Sequence, residues 1–430
     1  MQRRHFLTRS ARTFLGVGML PAGEALFGSR SMAAAIAASE EKILPKFRVK
    51  AKNIIYLYMS GGMSHLDTFG VKPGHSNMGA TSVIPTNVDG IRISEYLPRL
   101  AQCADKMAIV NSLTSNQGAH EQGNYIQHTS YALRGTIRHP SLGAWMERLQ
   151  EKVNETMPTS VVIGGGSQHP GAGFMEARFS PVAINNPASG LTNSRLPGGV
   201  VQNTFDYRLD LSQKLDQEFQ NQYDLRDVRA YTSMYRDAVR LMASPDLKAF
   251  DITQENEHTR KLYGETPFGQ GCLLARRLVE NGVRFVEVNL GGWDTHQANF
   301  IKVPENCDTL DKGFATLLED LAQRGLLEET MVVLATEFGR TPTINQNEGR
   351  DHYPKAFSGV LAGAGVRGGQ IYGKTSEDGT TVTEGALSPS DFNATIATAL
   401  GMPLDHIIHS PSRRPFTIAD KGKPALGLLA

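Results

Sequence analysis

The chain of 430 residues is poor in cysteine, with only Cys103, Cys272 and Cys307. An odd, small number excludes a disulfide framework and leaves room for at most one bridge. No two of the three have the close spacing of a thiolate metal site. Excess charge of either sign is also missing. Lys and Arg number 44 and Asp and Glu 43, for a formal net charge of +1. No overall field therefore draws nucleic acid or an anionic membrane surface. Aromatic residues make up 7%. The chain also lacks an apolar run of the roughly 20 residues that a membrane-spanning helix needs, so no stable membrane anchor is expected. Gly363-Ala364-Gly365-Val366-Arg367-Gly368-Gly369 is glycine-rich. It lacks the lysine and serine of a phosphate-cradling loop, which argues against a nucleotide site.

What is present begins with Arg3-Arg4-His5-Phe6-Leu7. Paired arginines ahead of Phe-Leu fit a twin-arginine export signal. The stretch from Phe14 to Phe27 is apolar but broken by Gly16, Gly18, Pro21 and Gly23. Small residues around Ala33 to Ala38 suit a signal peptidase. Residues 1–38 thus read as a signal peptide, with the twin-arginine translocase as partner and the periplasm or exterior as destination. Residues 39–52 read as a linker. The remainder, about 390 residues, exceeds the usual domain of ~100–150 but suits one large α/β domain. We place that domain at 53–410, with a tail at 411–430.

Short continuous apolar runs occur at 53–59, 107–110, 160–163, 283–290, 331–336 and 357–361. Such runs mark strands buried on both faces of a parallel sheet. Helices are expected within 91–106, over 142–153, 209–243 and 255–281, and over 310–324 and 389–400. Strands alternating with helices predict an α/β fold: a mostly parallel sheet with helices on both faces. Residues 165–281 read as a loop and helical excursion. Ligands in such folds bind at the carboxyl ends of strands.

Polar residues gather at those ends. Strand 53–59 leads into Gly61-Gly62-Met63-Ser64-His65-Leu66-Asp67, and strand 283–290 into Gly291-Gly292-Trp293-Asp294-Thr295-His296. Strand 331–336 leads into Glu337-Phe338-Gly339-Arg340, followed by Arg350-Asp351-His352. Carboxylates and imidazoles on one rim suit a divalent ion. Asp67, Asp294, His296, Glu337 and His352 are the metal-ligand candidates, each otherwise an ordinary cap or turn residue. After strand 107–110, the stretch from Ser112 to Glu121 offers Thr114, Ser115 and His120, and His128 follows. A nucleophile or an oxyanion-binding helix start fits there, as does a plain polar loop. His75, His139, His169, His258, His406 and His409 lack such context and read as structural.

These segments together resemble the exported bacterial proteins of the domain of unknown function 1501 family, over about 50 to 410. That family looks like a branch of the alkaline phosphatase and sulfatase superfamily, and the resemblance implies an alkaline phosphatase-like core. It implies ligands at Asp294, His296 and His352, with Glu337 in an acid's place. Phe338 stands where the superfamily has a histidine, and the expected first-strand aspartate near Gly61 is absent. Asp67 or His65 would substitute, and Thr114, Ser115 and His120 are nearest to the nucleophile's place. The resemblance points to a metal-dependent hydrolase of phosphate or sulfate esters, and the mixed imidazole and carboxylate set suits zinc or manganese. Arg340 or Arg350 would clamp a small anionic substrate. The alternative is a non-catalytic exported binding or assembly factor that keeps the fold.

Overall fold

The structure is a computed structural model that describes residues 51–430 apart from 166, 167, 197 and 224. The export signal and most of the expected linker lie outside the described residues. Eight strands form the main sheet: β1 (Asn53–Met59), β2 (Met107–Leu113), β3 (Ser160–Ile163), β4 (Val182–Ile184), β5 (Phe285–Leu290), β6 (Thr330–Ala335), β7 (Phe357–Gly363) and β8 (Gln370–Tyr372). Their order across the sheet is β8-β2-β7-β6-β1-β5-β3-β4. Only β7 runs antiparallel to its neighbours; the other pairs are parallel. The fold is the expected α/β class with a mostly parallel sheet.

β1 explains the architecture. All seven of its residues are buried. Ile55, Leu57 and Met59 enter one apolar core, while Ile54, Tyr56 and Tyr58 enter the other. A strand with two apolar faces is stable only when both faces are covered. The first face is covered by helices of later sequence. We number the helices α1 (His120–Thr129), α2 (Leu142–Leu149), α3 (Gln202–Gln222), α4 (Arg226–Ala243), α5 (Glu257–Tyr263), α6 (Pro267–Glu280), α7 (Asn299–Gln323) and α8 (Pro389–Ala399). Leu273, Leu274 and Leu278 of α6 and Leu310, Phe314 and Leu317 of α7 pack on the first face. Trp145 of α2 and Phe392 and Ile396 of α8 pack on the second.

Local chemistry starts these helices where they start. Thr266 caps α6 by accepting the N–H of Gly269, with Pro267 at its first position. Ser388 and Asp391 form a capping box on α8. α3 has no buried residue and stays outside the core.

Several expectations differ from what forms. Val182–Ile184, inside the expected excursion, joins the main sheet as β4, and β8 was not expected. The helix expected ahead of β2 is a ribbon, Val83–Pro85 with Arg92–Ser94, followed by the 3-10 helix Leu100–Lys106. Pro85, Gly90 and Pro98 interrupt any longer helix there. Conversely, α1 forms from the polar stretch after β2, where no helical period was visible. The three cysteines are buried free thiols. Among the described residues, no helix is long and apolar enough to cross a membrane.

Candidate metal centre

β1 lies between β5 and β6, so the three strands deliver their following loops to one edge. The loops meet closely. Gly61 has φ +117°, and a Cβ there would lie 2.5 Å from the backbone N of Asp294. A side chain at that position would push the loop after β1 away from the loop after β5. A two-stranded ribbon, Gly339–Arg340 with His352–Tyr353, follows β6. His352 is paired directly with Arg340, and both side chains reach Asp294.

Asp294 is the hub. Its Oδ1 is 3.2 Å from Nε2 of His296 and 3.3 Å from Nε2 of His352. Its Oδ2 is 3.4 Å from Nε2 of His120. The Nε2 atoms of His296 and His352 are 3.0 Å apart. Two ligand atoms on a tetrahedral ion with bonds of 2.0–2.1 Å are about 3.3–3.4 Å apart, so the spacing is right for one ion. Burial pushes the Asp294 carboxyl up, but the hydrogen bond and charge of Arg340 outweigh it and hold the group down at about 2. It is therefore an anion at neutral pH.

Each imidazole is also oriented from behind. Nδ1–H of His120 donates to Oε1 of Glu337 at 2.9 Å. Nδ1–H of His296 donates to Asp351 at 2.7 Å. Nδ1–H of His352 donates to the carbonyl of Gly118 at 2.9 Å. With hydrogen on Nδ1, all three rings turn the Nε2 lone pair toward Asp294. This is the arrangement of metal-bound histidines and their outer partners. Nε2 of His120 is buried without a hydrogen-bond partner. Phe338 packs against the rings of His120 and His352. The hydrogen bond that His120 donates to Glu337 raises its pKa, while burial, then Arg340 and His120, lower that of His352. The residues fit a zinc- or manganese-class ion with a mixed imidazole and carboxylate shell.

The structure brings together Asp294, His296 and His352 as the strand ends implied, and adds His120. His120 was, with Thr114 and Ser115, a candidate for the nucleophile's place; its Nε2 faces Asp294. It starts α1, and α1 can approach because a Cβ on Gly123 would sit 2.9 Å from Phe338.

Glu337 stands one shell out. Its Oε1 accepts from Gly61 N and His120, and its Oε2 from Tyr58 OH and Thr336. With both oxygens engaged, it orients His120 rather than facing the ion position.

Asp67 is held apart from the cluster. It is fully buried and accepts five hydrogen bonds, from Ser64, Thr81, Asn299 and twice from Arg350. Arg350 in turn spends all five N–H groups on Asp67 and on the carbonyls of Thr341, Pro342 and Asn77. It has no donor left for a substrate anion.

Arg340 is buried and donates to the carbonyls of Gly61, Gly62 and Arg350 and to Asp294. It braces the site rather than facing solvent. Ser115 Oγ accepts the N–H of Gln117. Among the described residues, neither Thr114 nor Ser115 has a hydroxyl bonded to a histidine of the cluster. His65, the other substitute for the missing aspartate, is buried and bonds the carbonyl of Gly379 at 3.0 Å. His139 is structural as expected, bonded to Tyr125 and stacked on Tyr131 at 4.3 Å.

Among solved structures, the chain resembles a protein in the alkaline phosphatase superfamily from Vibrio parahaemolyticus. The two share 9% identity with a TM-score of 0.40, over 90% of this chain and 72% of that one. It also resembles the PsFucS1 sulfatase from Pseudoalteromonas sp., at 14% identity and TM-score 0.41, over 91% and 75%. A third is the lipoteichoic acid synthase LtaP from Listeria monocytogenes, at 9% identity and TM-score 0.38, over 83% and 74%. No curated protein matches the chain. The family model described as "Protein of unknown function (DUF1501)" matches residues 51–429, and the chain belongs to that family.

Proposed function

We propose that this chain is an exported, metal-dependent hydrolase of small phosphate or sulfate esters. The carrying observation is the set of three imidazoles, each bonded outward through Nδ1 and turned inward through Nε2 onto Asp294. His120, Asp294, His296 and His352 would hold one divalent ion, of the zinc or manganese class. When bound, such an ion stabilises charge on an ester oxygen and makes water more acidic.

The protein's own residues do the rest. Asp294 supplies the negative charge, and Arg340 pins it. Glu337 and Asp351 keep His120 and His296 in the tautomer that leaves Nε2 free. Phe338 keeps water from the inner side of the rings, while the half-exposed outer side admits substrate. The restriction to phosphate and sulfate esters rests on the resemblance of the strand-end motifs. A second reading, an exported factor that binds metal without catalysis, is favoured by one observation. Every donor of Arg350, and nearly every donor of Arg340, is used inside the protein.

Metal analysis of dialysed protein, with assays on aryl phosphate and aryl sulfate, tests both readings. His352→Ala should lower metal affinity by more than the roughly 10–100-fold typical of outer-shell changes and abolish hydrolysis. His139→Ala should keep full metal. A folded His352→Ala protein with full metal removes the site. Metal-loaded wild type that cleaves neither ester favours the non-catalytic reading. For export, Arg3→Lys with Arg4→Lys should leave the precursor in the cytoplasm; unchanged export overturns the twin-arginine route.

A further inference from the structure

A second cluster of metal-binding side chains lies inside the molecule. Glu287 sits in the middle of β5, opposite Tyr56 of β1. On β5, Phe285 points into the second core while Val286 and Val288 point into the first. Alternation therefore puts Glu287 on the second face, beneath α1. His128, near the end of α1, brings Nε2 to 3.2 Å from Oε2 of Glu287. His169, from the stretch after β3, brings its Nε2 to 3.5 Å from the same oxygen. The three side chains are 4%, 7% and 2% exposed for His128, His169 and Glu287. A carboxylate buried this deeply must be paired, protonated or bound to a cation.

Three observations favour a cation. First, Nε2 of His128, Nε2 of His169 and Oε2 of Glu287 are buried and none has a hydrogen-bond partner. The two nitrogens converge on the one carboxylate oxygen within ion-pair distance. Second, all three lie within 4.8 Å of one another, and the separations of 3.2 and 3.5 Å bracket the ~3.3–3.4 Å expected on a tetrahedral ion. Third, two of the three side chains have outer partners in place. Nδ1–H of His128 donates to the carbonyl of Asn124 at 2.8 Å, which frees its Nε2 lone pair. The other oxygen of Glu287 accepts from Asn289 at 2.9 Å.

We propose that His128, His169 and Glu287 form a second, interior metal site for a zinc-class ion. Two imidazoles and a carboxylate make a shell that suits such an ion. One contact must change on loading. The N–H of Gly171 lies 3.1 Å from Nδ1 of His169 and favours the tautomer with hydrogen on Nε2. Binding moves that proton to Nδ1 and turns the amide of Gly171 away, and a glycine in a half-buried turn can do so. The ion enters as the chain folds, because no ligand is more than a tenth exposed. This site is separate from the rim centre: Tyr58 stands between them, its hydroxyl on Glu337 and its ring edge against His128.

The test counts metal in the full chain, folded with zinc present. Wild type should hold two equivalents. The rim equivalent should be lost to chelator and in His352→Ala. The interior equivalent should resist chelator until the protein unfolds, and be lost in Glu287→Gln. If Glu287→Gln fails to fold, wild type and His352→Ala still decide, because the chelator-resistant equivalent is counted in both. One chelator-resistant equivalent in His352→Ala supports the interior site even if the rim proves empty. A wild type with no chelator-resistant metal overturns it and leaves the cluster held by a proton on His128.

Discussion

The rim cluster and the Asp67–Arg350 pair both follow strands of the main sheet and share the segment after β6, yet they are opposites. In the rim cluster, ring nitrogens are bonded to the protein on one side and face one another and Asp294 on the other. In the pair, both oxygens of Asp67 and all five N–H groups of Arg350 are taken by the protein. Three consecutive residues make the contrast plain. Arg350 is fully buried scaffold, Asp351 orients His296, and His352 faces Asp294. Membership of a polar motif thus does not separate a ligand from a brace. The number of unused donor and lone-pair sites does.

The sharpest way to break this comparison is Arg350→Ala. If the pair is scaffold, removing one partner leaves Asp67 charged and buried, which costs about 3–5 kcal/mol. Denaturant titration should show that loss. A cost below about 1 kcal/mol would put Arg350 among surface ion pairs instead.

The next effect comes from pH. His65, beside the pair, has its pKa lowered to about 4, by burial first and also by Arg350. Its folded pKa lies below the unfolded value of about 6.5. The stability it contributes is therefore complete above pH 6.5 and lost as pH falls toward 4. The loss should reach about 3 kcal/mol. Unfolding measured in chelator at pH 7 and pH 4.5 isolates it from any loss of metal at the rim. An equally steep slope in His65→Gln would show that His65 is not responsible.

The smallest effect sharpens the rim side. Asp351→Ala removes the acceptor behind His296 without removing a ligand. Metal affinity should fall by roughly 10–100-fold, with little change in stability. Competition with a chromophoric chelator measures it, and an unchanged affinity would mean that His296 needs no support.

Much of this was legible beforehand, for definable reasons. The strands 53–59, 283–290 and 331–336 stood out as continuous apolar runs, since a strand covered on both faces has no polar alternation. Asp294, His296 and His352 stood out because they follow strands. His120 was noticed but given another role. Its helix, from His120 to Thr129, has too few apolar residues to show a helical period, so nothing indicated that its first turn would reach Asp294. Arg350 and Asp67 looked available because a sequence does not record who bonds whom. Glu287 did carry a signal: one carboxylate inside an apolar strand has to be neutralised somewhere. His169 carried none, being set in a stretch rich in Gly, Pro, Ser and Asn.

The place of β1 has a consequence for how the chain is made. It is the first strand of the main sheet in sequence and sits among the inner strands. Ile54 pairs with Phe285 on one side and Met331 on the other. At ~5–20 residues per second, ribosomal synthesis needs roughly 10–50 s to reach the first of those partners. Until then β1 is apolar on both faces with both edges unpaired, a segment prone to aggregation. Contacts this distant in sequence also slow the folding search itself. Exposure of β1 therefore lasts until both partner strands are made, and any truncation before residue 330 leaves β1 with an open edge.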